Sequence, residues 1–576
     1  MEARNTTKPI SLNEYRKNRA LKALSAEVLD LSTMVNMTGS QIVNRIVEMN
    51  NAKELVRKLS PQDYYWLIKK IGEDDCLPIL EMGKPEQWHH VMDLEIWKRD
   101  RVDLARATLW IRRLQLADVN ELAKWLYTEG QHLAYYYFFK ILEVRTLGHD
   151  DPVDLPEGFF TLDGVFYVRS KDPELRETIR RILESMASLD LERYHSLLMG
   201  LSAVLPAELE EEMFRLRNVR IAEYGFLPFD EAMAVYSSLP AKAIKEEILS
   251  GSSQIVTVED EEVRALIPVV PFSHAQDSSL LARVASRSND REFVDRLRLE
   301  FAGLCNQILS AEGLRIDNFD VLVKTCRRAA GYINVALEKL SGSDIRAAES
   351  LLRKNPLLNV FRVGFGMALR LKWDTERWLR DSWFLDQGFA FNFWGDKWGG
   401  ILSGLVQKKP IYYVGERESE MYRDFETSEE LEEVRITVLK CKVLDLLLEK
   451  LSGPGKAEDV QGREEITFYN LLFTSWAHVV LGHSVSFAPV EMQEAQALFE
   501  KLRSGDSKPP YKMKGYKQRF ASFFCGQDLA LPPEEHKILR DTLLFVWKEF
   551  QEEYQWIKTE DLDPRFSKFV KIKPSL

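Results

Sequence analysis

Cysteine is scarce in this chain of 576 residues, and the five present (Cys76, Cys305, Cys326, Cys441, Cys525) are far apart. Their odd number, wide spacing and lack of a C-x-x-C pair argue against a disulfide framework and against a zinc site of ordinary spacing. They read as buried thiols of a reducing compartment. The N-terminus is polar and charged where an export leader needs an apolar run, and a cytoplasmic protein is predicted. Basic charge is also short. Lys and Arg number 78 against 89 Asp and Glu, a net charge of -11, so the broad basic face that binding to DNA requires is missing and no DNA partner is predicted. Long apolar runs are missing too. The nearest, "NLLFTSWAHVVLGHSVSFAPV" from Asn470 to Val490, carries two His, three Ser and a Gly, which predicts a buried helix and no membrane span.

The motifs of several chemistries are incomplete. His478 and His483 are five apart with no carboxylate between them, unlike H-E-x-x-H, and are read as satisfied core histidines. "VGFGMALRL" offers only G-x-G, without the third glycine of a dinucleotide site, and "SGPGKAED" lacks P-loop spacing. Asp381, Asp386 and Asp396 form an acid/base pair only at a suitable separation, which a sequence does not state. No cofactor, no metal ligand and no catalytic residue is assigned. "KPPYKMKGYKQRF" interleaves Lys512, Lys514, Lys517 and Arg519 with Tyr511, Tyr516 and Phe520, a composition seen in nucleic-acid loops. In an acidic chain it is read as a surface loop or protein contact.

Well-punctuated helices are abundant. "LSPQDYYWLIKKIG" sets Ser60 as N-cap, Pro61 at the first helical position, Asp63 in the first turn and Gly72 as the stop, with Tyr64, Leu67, Ile68 and Ile71 on one stripe. "KPEQWHHVMDLEIW" repeats the Pro start with Trp88, Val91 and Met92 inward. "LADVNELAKWLYTEG" supplies Asp118 as N-cap, Glu121 as its capping-box partner and Leu122, Trp125 and Leu126 inside. Short capped helices about twenty residues apart predict a helical superhelix. Glu73, Asp74 and Asp75, following Lys69 and Lys70, read as a solvated helix end. The pattern from Leu59 to Met82 resembles the N-terminal superhelical domain of bacterial MgtE-type magnesium transporters. In that family the domain senses magnesium through acidic faces opposed to CBS domains. No CBS pattern or pore accompanies it here, so magnesium sensing is not carried over, and a divalent-ion-sensing regulator is a third reading only. Through "FFTLDGVFYVR", "YGFLPFDEAMAVYSSLP" and "GGILSGLVQKKPIYYVG" the whole chain is similar to an uncharacterised family of bacterial cytoplasmic proteins of the delta-proteobacterial type, a resemblance that implies fold and compartment and no activity.

In "FFTLDGVFYVR", Asp163-Gly164 between two runs of β-formers predicts a hairpin over 159–168 with a two-residue turn. The fold class expected is mainly α and multi-domain, with this hairpin inserted in a superhelical repeat region. Boundaries are expected as an arm and helix over 1–40, a superhelix over 41–250, a Trp-rich helical domain over 275–450 and a small helical domain over 464–576, with "SGPGKAEDVQGREE" from Ser452 as an exposed linker.

The segment from Trp373 to Gly400 holds five of the 13 tryptophans. Trp373, Trp378 and Trp383, spaced by five, turn about 140° per step in a continuous helix and form no single stripe. Beyond them Trp383, Asp386, Trp394, Asp396, Lys397 and Trp398 join apolar walls to a few polar groups, the make-up of a ligand pocket. The plainer reading is an aromatic packing seam. The expected role is a non-catalytic helical scaffold or regulatory adaptor that binds a protein partner or itself. The alternative is an enzyme of unknown reaction with its pocket at 383–398.

Overall fold

The computed structural model describes residues 31–34, 37–146, 155–246, 268–275, 279–313, 316–415, 420–453, 466–503 and 508–573. The polar arm before residue 31 and the linker over 454–465 lie outside the described residues, as does most of the Gly/Ser-rich boundary after residue 246. The fold is mainly α, with small antiparallel strand pairs. The chain forms two compact units. One comprises Met1–Ser237, Ile244–Ala330 and Ile345–Val360, the other Ser238–Ala243, Gly331–Asp344 and Phe361–Leu576.

In the first unit, α1 (Pro61–Ile71), α2 (Pro85–Glu95) and α3 (Leu104–Tyr127) carry the punctuation their sequences announce. The Ser60 hydroxyl accepts from the Asp63 N–H at 3.0 Å, and Gly72 ends α1 at a φ of 103° that favours glycine. Asp118 does cap a helical turn, accepting from the N–H groups of Asn120 and Glu121 at 3.0 Å each, but the chain enters it from another helix, so α3 is kinked there and not begun. Apolar stripes of α2 and α3 are buried as expected, including Trp88, Val91, Leu122 and Trp125. Helix α1 is buried nearly all round rather than on one stripe.

The hairpin is present with a different register. Strands β1 (Leu142–Thr146), β2 (Phe160–Thr161) and β3 (Phe166–Ser170) form a three-stranded sheet in the order β1-β3-β2. Thr161 pairs with Tyr167, and four residues, 162–165, rather than two separate the strands at the turn. Asp163 holds it by accepting from the N–H groups of Val165 and Phe166 at 2.9 Å each, and Gly164 takes φ 73°. The longer partner of β3 is β1, which sequence reading missed because "LEVRT" follows a helix without a break signal. Beyond the sheet, α4 (Arg176–Leu189) buries Ile179, Ile182, Leu183 and Met186, the stripe its spacing predicts.

Asp63 does more than favour the start of α1. Its carboxyl accepts from the backbone N–H groups of Val269 and Val270, at 2.9 Å to each, pinning a distant segment of the same unit. A second device joins α1, α2 and α3. Lys69, whose side chain is 1% exposed, lies 2.8 Å from Glu73 and 2.5 Å from Glu95. Arg106 bonds both carboxylates, Arg113 reaches Glu73 at 2.9 Å, and Glu95 also accepts from Tyr65 at 2.8 Å and Trp110 at 3.3 Å. Glu73 is thus no solvated helix end. Burial opposes its ionisation, but Arg106 and Lys69 outweigh that and hold its carboxyl well below the usual carboxylate range. Asp74 does remain in solvent. Cations occupy the space between these carboxylates, and among the described residues no group of three or more His, Cys, Asp or Glu is arranged to hold a metal.

In the second unit lie the end of α5 (Phe319–Ser341), most of α6 (Leu357–Arg380), and α7 (Gly395–Leu405), α8 (Ser428–Ser452), α9 (Phe468–Leu481) and α10 (Pro533–Tyr554). The G-x-G of "VGFGMALRL" is a helix crossing: a Cβ on Gly364 would stand 1.9 Å from the Tyr332 carbonyl oxygen, so only glycine lets α5 and α6 approach this closely. The apolar run after Asn470 belongs to α9, buried without a break from Asn470 to Ala477, with Phe473 stacked on Phe550 of α10 at 4.4 Å. Among the described residues no helix is long and apolar enough to cross a membrane. His478 and His483 are both partnered but neither is core: His478 is half-buried against the Ala488 carbonyl at 2.9 Å, and His483 is exposed beside Glu494 at 3.2 Å.

Candidate binding cleft

Helix α6 stops at Arg380, so Trp383 begins a separate single turn, Trp383–Asp386. That turn is held from beneath by Asp445 of α8, which accepts from the N–H groups of Trp383 at 3.2 Å and Phe384 at 3.0 Å and from Trp378 Nε1 at 3.2 Å. Trp394 is 1% exposed and packs on Phe393 at 5.1 Å, Phe384 at 5.3 Å and Phe468 of α9 at 5.5 Å. Trp398 stacks on Phe468 at 5.1 Å, and Trp383 meets Phe389 and Phe487 at 6.2 Å each. The three tryptophans are therefore buried in a continuous aromatic seam. Asp386, Asp396 and Lys397 point outward into solvent, Lys397 pairing with Glu433 at 2.9 Å. Asp386 lines an open concavity of about 780 Å³ with Trp373 and Arg380, while Lys397 and Trp398 line another of about 700 Å³ with Lys440 and Phe545. The six residues do not line one common cavity.

Burial pushes the Asp445 carboxyl up to about 6 against the opposing pull of the Phe384 and Trp383 N–H groups and the Trp378 indole, and burial likewise raises Asp63 to about 6. A carboxyl with a raised pKa binds its proton more tightly in the folded chain than in the unfolded one, whose value is near 3.9. Its contribution to stability is fully present below about pH 4 and is lost as pH rises through about 6. The urea midpoint of the wild type should therefore exceed that of Asp445→Asn by most in acid, the gap narrowing as pH is raised from about 4.5 to 7.5. A gap that widens with pH would show instead that the ionised form is the one the fold prefers.

Next to this seam lies a cleft of about 750 Å³, within the second unit. Helices α6 and α8 form its walls, and Val335 and Lys339 at the end of α5 form part of its base. Met367, Leu371 and Trp378 face it from α6, and Leu431, Leu439 and Leu446 from α8, all half-exposed. The polar members are five cations (Lys339, Arg370, Arg377, Arg435, Lys442) and three carboxylates (Asp374, Asp381, Glu432), with Ser428. Asp374 lies 3.4 Å from Arg377 and Glu432 lies 2.6 Å from Arg435, each one turn along its own helix.

A model of a family of unknown function, DUF6178, matches residues 18–573. The chain belongs to the DUF6178 family. No curated protein and no solved structure matches it. The family match covers the helices around the cleft, the aromatic seam and the ion-paired helices of the first unit in this DUF6178 chain, and assigns none of them a role. Of the cleft's lining, only Trp378 and Asp381 drew attention in the sequence. The missed signal is a spacing: residues 367, 370, 371, 374, 377 and 378 on α6, and the lining residues from 428 to 446 on α8, recur every three to four positions, so each set lies on one helix face. Polar residues at Asp374, Glu432, Arg435 and Lys442 masked these stripes from a reading that looked for uniformly apolar faces.

Proposed function

We propose that this chain is a non-catalytic helical adaptor of the cytoplasm that binds a protein partner, without DNA, through the cleft between α6 and α8. The observation that carries this reading is the open cleft itself, because half-exposed Met367, Leu371, Leu439 and Leu446 form a contiguous apolar lining of a size natural binding sites use. Pairing of Asp374 and Glu432 with neighbouring arginines supports the non-catalytic part: both carboxylates are committed to local ion pairs and are poor candidates for proton transfer. The test is a photoreactive benzophenone side chain placed at Leu439 in living cells, with one at Trp556, 63% exposed, as control. A discrete protein adduct is expected from position 439, lost on adding Leu371→Arg, with none from position 556. Equal adduct patterns from the two positions, or none from 439, would contradict the reading.

A further inference from the structure

The cleft has the geometry of a vacant helix position. Each wall is one helix face: on α6 it runs from Met367 to Trp378 and includes Arg370 and Arg377, with Asp381 just past the helix end, and on α8 it runs from Ser428 to Leu446 and includes Leu431 and Val438. On each wall the lining residues recur every three to four positions, the spacing of a single helix face, so the cleft is a groove between two helix faces. A compact small molecule would use only part of such a length. An incoming helix would use all of it, since its side chains pack between those of a facing helix. The lined face spans about 17 Å on α6 and about 27 Å on α8 at 1.5 Å per residue, so an occupant of three to five turns fits.

Charge then selects the kind of helix. Five cations face three carboxylates around the cleft, in a chain whose net charge is -11. Asp374 and Glu432 are already paired to arginines of their own helices, Lys442 lies 3.7 Å from Glu535, and Lys339 and Arg370 make no ion pair among the described residues. Asp381 likewise makes no ion pair among the described residues, so the groups without one are two cations and one carboxylate, and the lining as a whole holds two more cations than carboxylates. We propose that the cleft receives an acidic amphipathic helix of a partner protein, with apolar residues at heptad spacing entering between Met367, Leu371, Leu439 and Leu446 and acidic flanks meeting Lys339 and Arg370. This rests on the adaptor reading and names its ligand.

The probe is a fluorescein-labelled helical peptide of about 18 residues, long enough for the slot, with leucine at alternating three- and four-residue spacing and glutamate on its flanks. Its anisotropy is followed with the full chain, beside a lysine-flanked version and an unbranched fatty acid as competitor. Saturable binding is expected for the acidic peptide, at least tenfold tighter than for the basic one and weakened by salt. Leu439→Arg, and Lys339→Glu with Arg370→Glu, should each weaken it at least tenfold while leaving the thermal melt intact, since these side chains are exposed or half-exposed. Equal binding of both peptides, or binding untouched by the substitutions, overturns the proposal. Displacement by the fatty acid at stoichiometric amounts overturns it in favour of a small amphiphile. Self-association of the chain abolished by the same substitutions overturns it in favour of a second copy. A protein adduct from position 439 without peptide binding overturns the acidic helix and leaves the adaptor reading standing, whereas loss of both sinks the two together.

Discussion

Trp394→Ala is expected to lower the stability of the second unit by about 3–5 kcal/mol, the usual cost of emptying a core aromatic site. Trp394 is 1% exposed and is surrounded by Phe384, Phe393, Trp378 and Phe468. Rings fixed by α8, α9 and the turn at Trp383 collapse poorly into the space left behind, so transfer and cavity costs add. The buried indole N–H has no acceptor among the described residues, so no hydrogen bond is lost, and Trp394→Phe should recover a large part of the deficit. Trp398→Ala removes a single stacked face at 7% exposure and should fall at the lower end of the range. Urea unfolding followed by circular dichroism measures both. Because the chain has two units, the transition of the second should move and that of the first should not. A loss under about 1 kcal/mol for Trp394→Ala would remove the seam from the core and reopen it as a binding surface.

Glu95→Ala should destabilise the first unit by a similar amount, about 3–5 kcal/mol, for an electrostatic reason. The side chains of Glu95 and Lys69 are 4% and 1% exposed, and Glu95 accepts from Tyr65 and Trp110 as well as pairing with Arg106. Removing it leaves the buried Lys69 ammonium with Glu73 as its one carboxylate and two buried donors without their acceptor. Glu95→Gln keeps the shape and an acceptor and should cost less. The diagnostic variant is Lys69→Met combined with Glu95→Leu, which removes both charges, fills the space with apolar side chains and should be more stable than Glu95→Ala, because it also removes a buried ammonium left with half its partners. Urea midpoints of the three variants decide it. A double variant as weak as Glu95→Ala would mean that Glu95 acts through its bonds to Tyr65, Trp110 and Arg106.

What the sequence made legible was local. Ser60, Pro61, Gly72 and Asp118 announce themselves because capping and left-handed stops involve residues within four positions of one another. Asp163-Gly164 marked the turn of a hairpin, but the register depends on β1, some twenty residues earlier, and that pairing left no local signature. The role of Glu73 was hidden for the same reason: its partners Arg106 and Arg113 come from a helix more than thirty residues on. In the Trp-rich segment the residue types were visible but their orientation was not. Burial went to Trp383, Trp394 and Trp398 and solvent to Asp386, Asp396 and Lys397, so the mixed composition that suggested a pocket is split between a core and a surface. The cleft lay next to that segment, on helix stripes whose exposure only tertiary packing determines.

The seam as the core of the second unit and the cleft as the proposed binding surface are separated by setting one variant of each side by side. Cross-linking yield from a benzophenone at Leu446 is compared in the wild type, in Leu439→Arg and in Trp394→Ala, at a temperature below the melt of all three. The account predicts a wild-type melt with lost adducts for Leu439→Arg, and a lowered melt with retained adducts for Trp394→Ala. The reverse pattern, binding lost through Trp394 without loss of stability and unaffected by Leu439→Arg, would contradict it.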